Sequence, residues 1–186
     1  MSIEELENTI EGCKNGSRLS QKRLYHNFYG YAMSISMRYA GSREEAQEVC
    51  QDGFVKAFSK IDDCAGVGSF KGWLRRIFVN TAIDYYRKQR GRPFFDDIDT
   101  AIAVPAQTEP TGFDKISIDE KLAMVAHLPT AYRLAFNLYA VEGFSTAEIA
   151  ATLQIAEGTV RSNLAKARFK LQKMIEASEQ FKHTAQ

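Results

Sequence analysis

Apolar residues recur at helical spacing along almost the whole chain, and no stretch alternates with the period of two that a half-buried strand requires. That regularity confines the fold to the all-α class. It fails once, over residues 93–114, which hold Pro93, Pro105 and Pro110 and show no helical stripe. A structureless segment of that length is uncommon inside one domain and ordinary between two. The expected architecture is therefore two small helical domains, residues 1–92 and 115–186, joined by a flexible acidic linker over 93–114.

The helices can be placed from their caps and stripes. A short one is expected from Ile3 to Cys13, closed by Lys14-Asn15-Gly16, and a longer one from Ser17 to Ala40 with Leu24, Phe28, Tyr31, Ile35 and Tyr39 in register and Gly30 as a point of interruption. Ser42 and Glu45 have the spacing of a capping box, opening a helix that ends near Ser59. After a loop from Ile61 to Gly68, a helix from Ser69 to Arg90 carries Phe70, Trp73, Leu74 and Ile77 towards one side. Their spacing favours core packing over base stacking for Phe70 and Trp73. In the second half, helices are expected from Ile116 to His127, from Pro129 to Gly143, from a second capping box at Ser145 and Glu148 to Leu153, and from Glu157 to Ser178.

Charge narrows the function. The net charge over 186 residues is only +1, but it is unevenly placed. Residues 71–92 carry seven basic side chains against Asp84 alone, residues 93–114 carry five acids and no base, and residues 157–173 carry five bases against Glu157. Two basic segments divided by an acidic one point to two phosphate-facing surfaces. Cys13, Cys50 and Cys64 are odd in number and widely spaced, which marks structural thiols rather than a metal site. His26, His127 and His183 stand apart from any nucleophile pattern, glycine loop or paired ligand, so the sequence argues against an enzyme and predicts no metal or other cofactor. The acidic N-terminus lacks the pattern of a secretion signal and no run reaches the length of a membrane span, so a cytoplasmic protein without membrane insertion is expected.

Ser145 to Leu171 reads as a helix-turn-helix, with Gln154-Ile155-Ala156 as the turn and Ile149, Ala150, Leu153, Ile155, Val160 and Leu164 as its small core. Thr159, Arg161, Ser162 and Asn163, at the start of the second helix, are expected to be exposed and to reach base edges. Lys166, Arg168 and Lys170 are suited to phosphates.

Gly158-Thr159-Val160-Arg161-Ser162, followed by Ala167-Arg168 and Leu171, resembles the recognition-helix motif of domain four in extracytoplasmic-function sigma factors, the sigma-70 family of RNA polymerase subunits. Ala156 stands where that family often has a capping serine, and Asn163 where it commonly has a basic residue. Glu44-Glu45-Ala46 followed by residues 51–58 resembles the segment of sigma domain two that docks on core polymerase. The resemblance assigns that contact to Glu45, Glu48, Asp52, Phe54 and Lys56. Residues 68–77 and 79–87 are similar to the helix that melts promoters and reads the minus-ten element. For this work Asp63, Ala65, Gly66 and Val67 are expected in the loop, and Asn80, Arg87 and Lys88 on the strand and backbone, since capture of an unstacked base needs a pocket together with cations. Thr159 to Lys170 would then meet the minus-thirty-five element. The resemblance implies core RNA polymerase, promoter DNA and an anti-sigma factor as partners, and leaves no room for sigma domain three. The alternative is a free-standing helix-turn-helix regulator that binds an operator as a dimer. It accounts for the second half but not for the Asp52 segment or the first basic helix.

Overall fold

The computed structural model describes residues 1–90 and 117–184, and the segment expected to act as the acidic linker, 93–114, lies outside the described residues. All regular structure among the described residues is helical. The chain divides into two units, Met1–Gln89 and Arg90–Gln186.

The first unit contains α1 (Ile3–Lys14), α2 (Arg18–Tyr39), α3 (Arg43–Ser59) and α4 (Phe70–Arg90). Ser2 and Glu5 form a full capping box at the start of α1, which satisfies amides that the first helical turn leaves unpaired. α1 folds back on α2 through Gly16, whose φ of 75° is left-handed. The two helices approach so closely that a Cβ on Gly12 would overlap the Ser20 side chain. The expected interruption at Gly30 does not occur: α2 runs unbroken from Arg18 to Tyr39. Burial of Leu24, Phe28, Ala32 and Ile35 on either side of it outweighs the roughly 1 kcal/mol that glycine costs within a helix.

α3 also departs from the expected cap. Ser42 Oγ accepts from the Glu45 amide at 3.2 Å, but the Glu45 carboxylate reaches past Ser42 to the Gly41 amide at 2.7 Å and also accepts from the Tyr86 hydroxyl at 3.3 Å. The cap thereby ties α3 to α4. Aromatic rings fill the space between these helices and α2: Phe28 meets Phe70 at 4.9 Å, and Phe54 meets Phe78 edge to face at 5.2 Å. The stretch between α3 and α4 is more ordered than a plain loop, with 3-10 turns at Ile61–Asp63 and Val67–Ser69.

The second unit contains α5 (Ile118–Ala126), α6 (Thr130–Phe136), α7 (Thr146–Leu153) and α8 (Glu157–Thr184). Ser117 and Glu120 cap α5, and Ser145 and Glu148 cap α7, each as a complete box. Arg133 is buried, and its Nη1 donates at 2.7 Å to the Ala126 carbonyl at the end of α5. α6 continues into one π-helical turn, Asn137–Val141, and the chain then turns at Gly143 with φ 75°. Between α7 and α8, Gln154 takes a left-handed conformation with φ 57°. Tyr132, Leu138, Ile149, Val160, Leu164 and Leu171 are buried where α6 and α7 meet α8. α8 extends to Thr184, six residues beyond the expected end.

Candidate functional site

Three surfaces carry the residues singled out in the sequence. On α3, Glu48 and Asp52 are both exposed and stand four residues apart, so their carboxylates share one helical face. Val55 extends the same face at 68% exposure. The sequence reasoning missed it, although a valine three residues past Asp52 and seven past Glu48 is placed in the solvent phase. The other three residues of this group have intramolecular roles. Glu45 is held by Gly41 and Tyr86, and Lys56 donates to Asp84 of α4 at 2.9 Å. Phe54 is 3% exposed and packed among Tyr25, Phe58 and Phe78. The expectation that Phe54 meets a partner is therefore corrected: its ring belongs to the core and supports the face behind Asp52.

The second surface is the stretch from Ile61 to Ser69 with α4. Asp63 and Ala65 are exposed, Gly66 and Val67 half-buried. The Gly66 carbonyl is the organising point, because it accepts from the Ser69 amide at 3.3 Å, the Ser69 hydroxyl at 3.1 Å and the Cys64 thiol at 3.7 Å. Gly66 itself has φ 139°, which a side chain would oppose. The Cys64 carbonyl accepts from Lys14 Nζ at 3.5 Å, so α1 braces the turn from fifty residues away. Cys64, Ser69 and Lys14 were not foreseen. No local sequence signal marks Lys14, since its partner is set by tertiary packing.

On α4, Asn80 and Lys88 are exposed and Arg87 is half-buried. Asp84, the one acid in this basic segment, pairs with both Lys56 at 2.9 Å and Arg87 at 3.5 Å. Phe70 is fully buried against Phe28, while Trp73 is half-buried and tilted against Phe70 at 5.6 Å.

The third surface is the start of α8. Arg161 and Ser162 are exposed and Thr159 half-buried. Asn163 is only 7% exposed, which corrects the expectation that it lies open for reading bases. It stands three residues after Val160 and four before Ala167, both buried, and so faces inward. With a step of about 100° per residue, Arg161 and Arg168 share one flank of α8, Lys166 and Lys170 the other, and Ser162 the ridge between. The two lysine ammoniums each lie 5.8 Å from the centre of the buried Tyr132 ring. Arg168 lies over Tyr139 at 5.6 Å and lines a surface groove with Phe136, Phe144 and Glu148.

Two carboxylates frame this helix-turn-helix. The backbone and hydroxyl of Ser145 hold the Glu148 carboxyl below the usual carboxylate range. Hydrogen bonds from Thr146 and then Arg161, aided by the guanidinium charge, do the same for Glu157. Cys13 and Cys50 move the other way: burial raises each thiol to about 11, so neither is a thiolate near neutral pH. The described residues contain no cluster of three or more His, Cys, Asp or Glu side chains able to hold a metal ion, and no helix long and apolar enough to cross a membrane.

An α-helical pair with a left-handed turn, basic flanks on its second helix and a separate basic helix beside a braced loop define a two-part nucleic-acid-binding protein. The Sigma-70 region 2 family matches residues 24–92, and the Sigma-70 region 4 family matches residues 120–171. The ECF RNA polymerase sigma-E factor of Escherichia coli (strain K12) is 31% identical over 172 residues, covering 86% of this chain and 88% of the relative. That of Haemophilus influenzae is 28% identical over 180 residues, covering 90% and 93%. Two solved structures are also similar. CnrH in complex with the cytosolic domain of CnrY is 24% identical with a TM-score of 0.46, covering 93% of this chain and 98% of that one. The sigma factor RpoE of Bartonella quintana in complex with the anti-sigma factor NepR is 22% identical with a TM-score of 0.48, covering 83% and 96%. The chain belongs to the sigma-70 family, among its extracytoplasmic-function RNA polymerase sigma factors.

Proposed function

We propose that this sigma factor binds core RNA polymerase through the exposed face of α3, captures a base of the melted minus-ten element in the turn from Asp62 to Gly68, and reads the minus-thirty-five element with the start of α8. Residues 1–92 would act as domain two and 115–186 as domain four, with 93–114 as the acidic connection. The observation that carries this reading is the coexistence of both parts in one chain. A regulator acting alone on an operator needs the helix-turn-helix but has no use for the region 2 half, so that alternative is set aside. Glu48 and Asp52, with Val55 one turn further along the same stripe, offer an acidic face with an apolar end. Such a face suits a partner helix pair bearing arginines or lysines. On the DNA side, Asp63, Ala65, Gly66 and Val67 would form the rim of the base pocket. Asn80, Arg87 and Lys88 would follow the strand. Thr159, Arg161 and Ser162 would face base edges, with Lys166, Arg168 and Lys170 near phosphates. The site of action is cytoplasmic, and the regulator implied by the family resemblance is an anti-sigma factor that covers these surfaces.

Charge reversal on α3 tests the reading. Glu48→Lys with Asp52→Lys should weaken association with core polymerase by at least about tenfold while the far-ultraviolet circular dichroism stays unchanged, since both side chains are exposed and close charge pairs across interfaces couple by about 1.5 kcal/mol or more. Normal transcription by the double variant at limiting protein would remove this face from the mechanism.

A further inference from the structure

The Glu157 carboxylate has no part in the surfaces assigned above, yet it sits among them. It stands in the first turn of α8, and its Oε1 accepts two hydrogen bonds at once: from Thr146 Oγ1, at the start of α7, at 2.7 Å, and from Arg161 Nη2, one turn further along α8, also at 2.7 Å. We propose that Glu157 is a specificity-determining positioning residue, which fixes the Arg161 guanidinium in the orientation that reads a base edge. This rests on the assignment of Arg161 to the upstream promoter element.

Stability is not a sufficient reason for the arrangement. The Arg161 and Glu157 side chains are 69% and 40% exposed, and ion pairs that open to solvent contribute little to folding. What such a pair changes is the distribution of rotamers. Arginine has a long, flexible side chain, and on an exposed helical surface it samples many directions. An arginine beside DNA that is not restrained can satisfy itself on a phosphate as readily as on a base, and a phosphate contact carries no sequence information. The tether to Glu157 removes conformers pointing away from the first turn of the helix.

The second hydrogen bond explains why the tether can be stiff. A glutamate bonded only to arginine would be nearly as mobile as its partner. Thr146 anchors the same oxygen to the other helix of the motif, so the guanidinium is referenced to both helices. The cost in donors is small: the pair engages one N–H of the five that a guanidinium carries, and a bidentate guanine contact requires two. The carboxylate also repels phosphate, which further disfavours a backbone contact by this arginine.

The test uses polymerase holoenzyme reconstituted with the full chain, transcribing a promoter library randomised across the upstream element. The variants are Glu157→Ala, Glu157→Gln, Thr146→Val, Arg161→Ala and the double Glu157→Ala/Arg161→Ala. Arg161→Ala should erase base preference at one or two positions. Glu157→Ala should reduce the ratio between best and worst base at those same positions by about fivefold, a part of the discrimination that a bidentate contact supplies, without a matching fall on unfavoured templates. Glu157→Gln keeps an acceptor oxygen and should retain most of the preference, Thr146→Val should fall between, and the double variant should be no flatter than Arg161→Ala alone. The proposal is overturned if Glu157→Ala keeps full preference, lowers output on every template alike, or adds its loss to that of Arg161→Ala. If Arg161→Ala itself leaves preference intact, the assignment of the reading face falls and takes the proposal with it. A wild-type holoenzyme that transcribes no promoter would instead sink the sigma reading as a whole.

Discussion

Phe78 occupies the volume that a side chain at position 53 would need, and this is why glycine stands in the middle of α3. A Cβ on Gly53 would overlap the Phe78 ring, which is fully buried and held edge to face by Phe54, so the ring has no open side to move towards. Alanine gains about 1 kcal/mol over glycine in a helix interior, while overpacking a filled core costs about 1–3 kcal/mol. The clash should win, and Gly53→Ala is expected to destabilise the first unit by up to about 2 kcal/mol in urea denaturation. A double-mutant cycle identifies the cause, because the alanine should cost less in a Phe78→Leu background. Equal cost in both backgrounds would place the strain elsewhere. The Lys56–Asp84 pair nearby is a weaker contributor: its side chains are 39% and 44% exposed, so it adds at most about 1 kcal/mol. Its effect is on charge, since Asp84 is the sole acid within the basic segment and is drawn into pairs with Lys56 and Arg87.

At the scale of elements, the turn between α7 and α8 makes its own prediction. Gln154 holds φ 57°, a conformation that costs a residue with a Cβ about 1–2 kcal/mol, against about 0.5–1 kcal/mol that glycine loses through unfolded-chain entropy. Gln154 is exposed, so its side chain gives up little buried surface, and Gln154→Gly should raise the stability of the second unit by up to about 1 kcal/mol. Thermal unfolding followed by circular dichroism checks this, and a lowered midpoint would contradict it. The turn was legible as a turn because two striped segments flank it, and the helix starts were legible because Ser17, Ser42 and Ser145 each precede one. Asn163 is polar, yet its spacing from Val160 and Ala167 puts it on the buried face, so helical phase and not polarity decides its burial. Phe54 obeys the same rule: it lies within a segment that resembles a partner-docking motif, yet periodicity turns its ring inward. Other features had no local code. The π-helical turn at Asn137–Val141 is closed by the Glu142 amide on Asn137 and the Phe144 amide on Leu138, and the brace from Lys14 to Cys64 joins segments fifty residues apart.

For the whole molecule, the question is why a promoter-recognition protein carries a net charge of only +1. Duplex affinity without sequence content comes from phosphates neutralised, and its logarithm falls with the logarithm of salt by about 0.9 for each one. Each half presents a modest basic segment, and five acids in residues 93–114 separate them. Within those segments part of the charge is already engaged, with Arg87 paired to Asp84 and Arg161 to Glu157. Each such pair reduces what its half offers to phosphate, so neither half should hold free duplex tightly. The α3 face, by contrast, is acidic and exposed, which under the proposed function suits a basic partner. We therefore expect the isolated protein to bind promoter duplex in the range of about 10⁻⁴–10⁻⁶ M at physiological salt, with little preference over scrambled sequence. Core polymerase should bind more tightly than that non-specific range, since charge complementarity at the α3 face adds to its contact area. Anisotropy of the labelled chain, titrated with duplex and with core polymerase at two salt concentrations, measures both. Lys170→Ala should lower promoter-dependent transcription uniformly and reduce the salt slope by about one, since that side chain lies on the flank away from Arg161. Tight, sequence-specific binding of duplex without polymerase would contradict this distribution of charge and return the molecule to the class of regulators that act alone on an operator.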